Sequence, residues 1–134
     1  MPASVDARWL IAALAPYVRD FVVAAGSRSA PLAYAIASAE GSGMVRAHPA
    51  FDERSAGFFA LGLAQASKAP VAVVTTSGTA PAHLLPAVIE AFHTGAPLIV
   101  ISADRPFEMR GVGASQTTDQ SGLFGNHVVA QLDV

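Results

Sequence analysis

Asp52, Glu53 and Arg54 stand together at the head of "FDERSAGFFALGLA", residues 51–64, in a chain of which only 13% is charged. Small and apolar residues follow at once, so two carboxylates lead into a segment that reads as buried. The free N–H groups and the dipole of a helix N-terminus favour a carboxylate, and Asp52 alone meets that need. Glu53 is then either part of the same cap or a carboxylate aimed at a partner. In the second case desolvation and hydrogen bonding tune it for acid–base work.

Three more stretches hold residues able to do chemistry. In "GSRSAPL", residues 26–32, Gly26 permits a tight turn, Ser29 is a candidate helix cap and Pro31 suits a first helical turn. The free amides of that turn, with Arg28, suit a carboxylate or phosphate; a plain capped helix beside a solvated arginine is the alternative. In "SGTAPAH", residues 77–83, Gly78 lets the backbone approach a ligand, and Ser77 and Thr79 can cap or donate. His83 reads as an ordinary half-buried helical residue, and no zinc-ligand spacing joins it to His48, His93 or His127. In "ADRPFEMRGVGASQ", residues 103–116, Arg105 comes directly after an apolar run. "GVGASQ" lacks the third glycine and the strand–helix setting of a dinucleotide fingerprint, and neither a GxSxG elbow nor a Walker A sequence is present.

The elements that must position these residues follow from hydrophobic patterning. β-Rich runs occupy 21–25, 44–48, 71–76 and 97–103, with a fifth candidate at 127–134. They lack a period of two, which suits strands buried on both faces of a parallel sheet. Four helical faces lie between or before them: Trp9, Leu10, Leu14 and Tyr17; Leu32, Ile36 and Ala39; Phe58, Leu61 and Gly62; Leu84, Val88 and Phe92. This alternation predicts an α/β fold, a three-layer doubly wound domain with a mostly parallel central sheet. Ligands bind such sheets beyond the carboxyl ends of the strands, and all four chemical stretches fall there.

The 134 residues fit one domain, long enough to bury about two-thirds of its unfolded surface. A net charge of -2 excludes the basic face that nucleic acid requires. There is no cysteine for a disulfide or thiolate metal site. The start, "MPASVDARWL", lacks the order of a signal peptide, and the apolar runs are too short to span a bilayer, so a cytoplasmic protein off the membrane is expected. The mean hydropathy of +0.44 is high for so little charge, which points to surfaces covered by other domains or subunits.

"GSRSAPL", "FDERSAG" with "FALGLA", "TSGTA", "ADRP" and "GASQ" occur together, from about residue 18 to 124, in the order and spacing of a known family. The chain resembles the pyrimidine-binding (PYR) domain of thiamine-diphosphate enzymes, and within them the transferases of menaquinone biosynthesis. The resemblance implies that Glu53 is the catalytic glutamate that bonds N1′ of the cofactor's aminopyrimidine ring and so promotes loss of the thiazolium C2 proton. It implies that Ser77, Gly78, Thr79 and Gln116 contact the cofactor. Ser27, Arg28, Arg105, Ser115 and Gln116 would contact anionic substrates, 2-oxoglutarate being decarboxylated and its succinyl unit added to isochorismate. Ala25, Ser115 and His83 depart from the family pattern, which has proline, asparagine and asparagine there.

The diphosphate and Mg2+ (or Mn2+) are held, in the family, by a second domain marked by GDG and a later asparagine, a motif absent from these residues. The resemblance therefore implies an N-terminal portion of a longer homodimer or homotetramer, inactive alone and completed by the diphosphate-binding domain of a neighbouring subunit. Two other readings stay open: an acetolactate-synthase-type lyase, and a noncatalytic α/β module that binds small anions.

Overall fold

A computed structural model describes residues 3–133. Met1, Pro2 and Val134, which end two of the stretches read above, lie outside the described residues.

The elements alternate as expected: α1 (Ala3–Leu14), β1 (Asp20–Ala24), α2 (Ala30–Gly41), β2 (Arg46–Ala50), α3 (Glu53–Ser67), β3 (Val71–Thr75), α4 (Leu85–Thr94) and β4 (Leu98–Ser102). Short 3-10 turns precede α4 at Pro81–Leu84 and follow β4 at Phe107–Met109 and Gly125–His127. The four strands form one parallel sheet in the order β2-β1-β3-β4. Alternate residues of the two central strands feed opposite cores. Phe21, Ala72 and Val74 pack with Ala7 and Ile11 of α1 and with Ile36 and Ala39 of α2. Val22, Val71 and Val73 pack with Ala56, Ala60 and Ala64 of α3 and with Val88 of α4. The result is the three-layer doubly wound domain that the sequence predicts.

Burial on both faces holds for β3, whose five residues are all buried, and for most of β1. It does not hold for the edge strands. β2 begins two residues later than predicted because its register pairs Asp20 with Arg46, and it includes Pro49, which an edge strand tolerates because one side of its backbone needs no ladder partner. The predicted strand at 127–134 is not formed over its described residues. The turn at Gly125–His127 leads it onto α4, where His127 meets the ring of Phe92 at 5.9 Å between centroids, and Val129 is fully exposed.

Several helical faces also differ. Trp9, Leu10 and Tyr17 are exposed, and Ala7 and Ile11 take the core side of α1. Phe58 and Phe92 are likewise exposed, and Gly62 faces out, while Leu61, Leu84 and Val88 are buried as expected. On the α3/α4 face the cause is visible. α3 lies close against its neighbours through Ala56, Gly57, Ala60 and Ala64, a spacing too tight for aromatic rings. A Cβ at Gly57 would stand 3.1 Å from both the Ala87 Cβ and the Leu84 Cδ2.

That contact predicts a size threshold. Gly57→Ala stays within about 1 kcal/mol of the parent in urea unfolding, because gained helix propensity opposes the crowding. Gly57→Leu, which must displace Leu84 and Ala87, lowers stability by about 1–3 kcal/mol.

Candidate functional site

The strand order places a switch point between β1 and β3, because α2 leaves β1 toward one face and α4 leaves β3 toward the other. Crevices for ligands open at such points. Here the two loops touch. A Cβ on Gly26 would fall 2.5 Å from the Thr76 Cβ, so only glycine lets the β1 loop pass this close to the end of β3. Ser29 does not cap α2 as predicted. Its hydroxyl, fully buried, accepts from the Gly26 amide at 3.0 Å and donates to the Gly26 carbonyl at 3.2 Å. The turn is thereby closed on itself, and Ser27 and Arg28 remain exposed at its tip.

At the end of β2 the two acids divide the work. Asp52 is the N-cap of α3, and its Oδ1 accepts from the Ser55 amide at 2.7 Å. Hydrogen bonding from Ser55, its amide first, holds the Asp52 carboxyl below the ordinary value of 3.8; burial opposes this, and the charges of His83 and Arg54 add to it. Glu53 is the first residue of α3, half-buried, and forms no hydrogen bond or ion pair among the described residues. His83, expected to be half-buried, is exposed in the 3-10 turn that packs beside α3.

The β3 loop is gripped by the segment that follows β4. Ser77, 1% exposed, donates from its hydroxyl to the Gln116 carbonyl at 3.0 Å, and the Gln116 Nε2 donates back to the Ser77 carbonyl at 3.2 Å. Gly78 has φ +83°, and a Cβ there would meet the Gln116 Cγ at 2.9 Å. Its missing side chain thus makes room for Gln116. Thr79 is exposed beside it. Gln116 itself has φ +54°, a left-handed conformation that costs a residue with a side chain about 1–3 kcal/mol.

Arg105 is 9% exposed, and its guanidinium donates to the Ser115 carbonyl at 2.7 Å. Its Nε is buried without a partner. Below it, Arg110 donates to the Arg105 carbonyl at 3.0 Å and pairs with Asp104 at 3.1 Å and Asp133 at 2.7 Å. The structure therefore brings Ser77, Gly78, Arg105, Ser115 and Gln116 into one bonded cluster, with Ser27 and Arg28 on the adjoining β1 loop and Glu53 at the end of β2.

Two residues of this cluster escaped the sequence reading. Thr76 supplies the surface that Gly26 lies against. Gln120 joins three groups at once: it accepts from the Gly78 amide at 2.8 Å and donates to the Ser102 hydroxyl at 3.3 Å and the Ala103 carbonyl at 3.1 Å. Nothing in "SQTTDQSG" marks its second glutamine out; only the meeting of two distant loops does.

A doubly wound sheet with Glu53 free of capping at the head of α3 and a glycine turn closed by Gln116 is the architecture of a cofactor-binding class of α/β domain. The chain belongs to the family described as thiamine pyrophosphate enzyme, N-terminal TPP binding domain, which matches residues 7–123. Its relatives include the 2-succinyl-5-enolpyruvyl-6-hydroxy-3-cyclohexene-1-carboxylate synthase of Paenarthrobacter aurescens (strain TC1), 64% identical over 117 residues, which are 87% of this chain and 21% of that protein. Proteins of the same name from Nocardia farcinica (strain IFM 10152) and Rhodococcus erythropolis (strain PR4 / NBRC 100887) are 56% and 55% identical, again over 87% of this chain and 22% of theirs. The chain thus spans about a fifth of the length of these curated relatives.

The cap predicts a pH signature. Because its pKa is lowered on folding, Asp52 stabilises the fold at neutral pH and up from its unfolded value, and that stabilisation is lost as the pH falls through the lower folded value. Asp52→Ala is accordingly less stable than the parent at pH 7, and the gap in unfolding midpoint closes as the pH drops below 3.8.

Proposed function

We propose that residues 1–134 are the PYR domain of a thiamine-diphosphate-dependent transferase that decarboxylates 2-oxoglutarate and adds its succinyl unit to isochorismate, in menaquinone biosynthesis and in the cytoplasm. The observation that carries the reading is the division between the two acids. Asp52 is occupied by the Ser55 amide, so Glu53 is spared from capping and keeps its carboxylate for a partner at the ligand edge of the sheet.

The residues present fit the pyrimidine half of the cofactor. Among the described residues Glu53 is an acceptor without a partner and the buried Arg105 Nε lacks one, and Ser77 and Gly78 form a turn rigid enough to define one wall. Thiamine diphosphate supplies, when bound, the nucleophilic carbon and electron sink that decarboxylation of a 2-oxo acid needs. Glu53 would hold a hydrogen bond to ring nitrogen N1′ of the bound cofactor, from the first turn of α3.

Ser77, Gly78 and Thr79 would contact the ring, and Gln116 would stand between cofactor and substrate. Ser27 and Arg28 bind carboxylate groups of the two anionic substrates from the exposed β1 loop, where a guanidinium recognises a carboxylate through paired N–H donors. Arg105 orients Ser115 through its carbonyl and offers its remaining N–H to the same anions. Mg2+ or Mn2+ and the diphosphate fall to a second domain in a neighbouring subunit of a homodimer or homotetramer. The chain alone is then inactive. Among the described residues no group of three or more His, Cys, Asp or Glu side chains could hold a metal, and no helix is long and apolar enough to cross a membrane.

In the complete enzyme Glu53→Gln lowers kcat by about 100-fold or more, the scale of a lost acid–base group, with an unchanged circular dichroism spectrum. A loss no larger than that of Asp52→Ala overturns the role of Glu53. Arg28→Ala raises the KM of at least one anionic substrate, by about tenfold for one charge-assisted hydrogen bond. An unchanged KM for both substrates makes Arg28 a plain surface residue.

A further inference from the structure

Gln116 is held in an unfavourable backbone conformation, and its place depends on the Gly78 turn. Each grips the other: Ser77 bonds the Gln116 carbonyl, and Gln116 bonds the Ser77 carbonyl. Arg105 holds one end of this pair of loops through the Ser115 carbonyl, and a second side chain ties the Gly78 turn to the sheet.

We propose that Gln120 is a positioning residue that fixes the Gly78 turn to the end of β4 and so sets where the Gln116 side chain stands. The proposal rests on the reading of this site as the pyrimidine half of a thiamine-diphosphate centre. Gln120 has the right groups for the task. Its Oε1 accepts from the Gly78 amide at 2.8 Å, while its Nε2 donates to the Ser102 hydroxyl and the Ala103 carbonyl at 3.3 and 3.1 Å. Ser102 is the last residue of β4 and pairs in register with Thr75, the last of β3. Gln120 therefore spans the open ends of two adjacent parallel strands, where the ladder has run out of backbone partners.

The geometry also explains why the amide matters as an amide. One end must accept and the other donate, so neither a carboxylate nor an apolar side chain of the same length reproduces both. The Gly78 amide is buried with its residue, and without Gln120 it loses the partner seen here. An unsatisfied buried donor destabilises by more than a hydrogen bond contributes on average, so the turn would shift to find another partner. Gln116 would move with it through the two bonds to Ser77. Arg105 steadies the other end of the segment through the Ser115 carbonyl, which confines the movement to the stretch between them.

The test uses the complete enzyme carrying Gln120→Met, Gln120→Glu, Gln116→Ala and the pair Gln116→Ala with Gln120→Met. Amide hydrogen exchange of the ligand-free proteins reads the contact itself. Gln120→Met raises exchange at Gly78 by about tenfold, the effect of one lost buried hydrogen bond. Gln120→Glu, which retains an acceptor for Gly78, keeps that amide closer to the parent and supplies the readout if the methionine variant does not fold. Steady-state kinetics then read the consequence. Gln120→Met lowers kcat by about tenfold on the parent background and has no further effect once Gln116 is alanine, because it acts through that side chain.

Unchanged exchange at Gly78, or equal loss of protection in both Gln120 variants, overturns the proposal whatever the activity. Raised exchange with a parental kcat, or kinetic losses that simply add to those of Gln116→Ala, reduces Gln120 to a structural residue and overturns it too. A parent with no thiamine-diphosphate-dependent turnover of 2-oxoglutarate sinks the functional reading together with this role. An active parent beside a kinetically unchanged Gln120→Met sinks the role alone.

Discussion

β3 is buried along its whole length and pairs with β1 on one side and β4 on the other. A parallel strand in that position has no freedom to slip, because a shift of one residue would turn Val71 and Val73 out of one core and Ala72 and Val74 out of the other. The loops that leave its carboxyl end and those of its neighbours therefore start from fixed points. Gly26 against Thr76, Gly78 against Gln116 and Gln120 across Ser102 and Ala103 are all contacts between segments launched from that one edge.

Within the edge, polar groups are divided between holding the loops and facing outward. Ser29 ties the β1 turn to itself and leaves Ser27 and Arg28 exposed. Asp52 caps α3 and leaves Glu53 unpaired. Arg105 and Gln120 hold the segment 115–120 from its two ends, and the strained backbone of Gln116 persists because its neighbours over-determine it. In the first two cases one side chain satisfies the local backbone, and the one beside it is left without that task.

The sparing use of charge has a visible counterpart. Small residues fill the α3 contact, and Phe58 and Phe59 of that helix stand on the outside, as do Trp9, Tyr17, Tyr34 and Phe51 elsewhere on the surface. High mean hydropathy in this chain thus reflects apolar surface as well as apolar core, which is why the largest side chains were poor guides to the buried faces of α1, α3 and α4.

Sequence alone determined the three layers, the parallel central strands and the four loops where the unusual polar residues gather. These follow from periodicity and from glycine, serine and acid placement within a few residues, which are local properties. It also marked Glu53, since two adjacent acids exceed what one helix cap can use. The same local chemistry makes Asp52 the cap, through the Ser55 amide three residues on, and lets Ser29 close its own turn through Gly26. Tertiary structure alone decided that Gly78 makes room for Gln116, that the turn at Gly125–His127 sets His127 beside Phe92 of α4 while no strand forms after it, and that Gln120 matters at all. Each of these is a contact between segments far apart in the chain. No local pattern records such a contact until β3 and β4 lie side by side and bring their loops together.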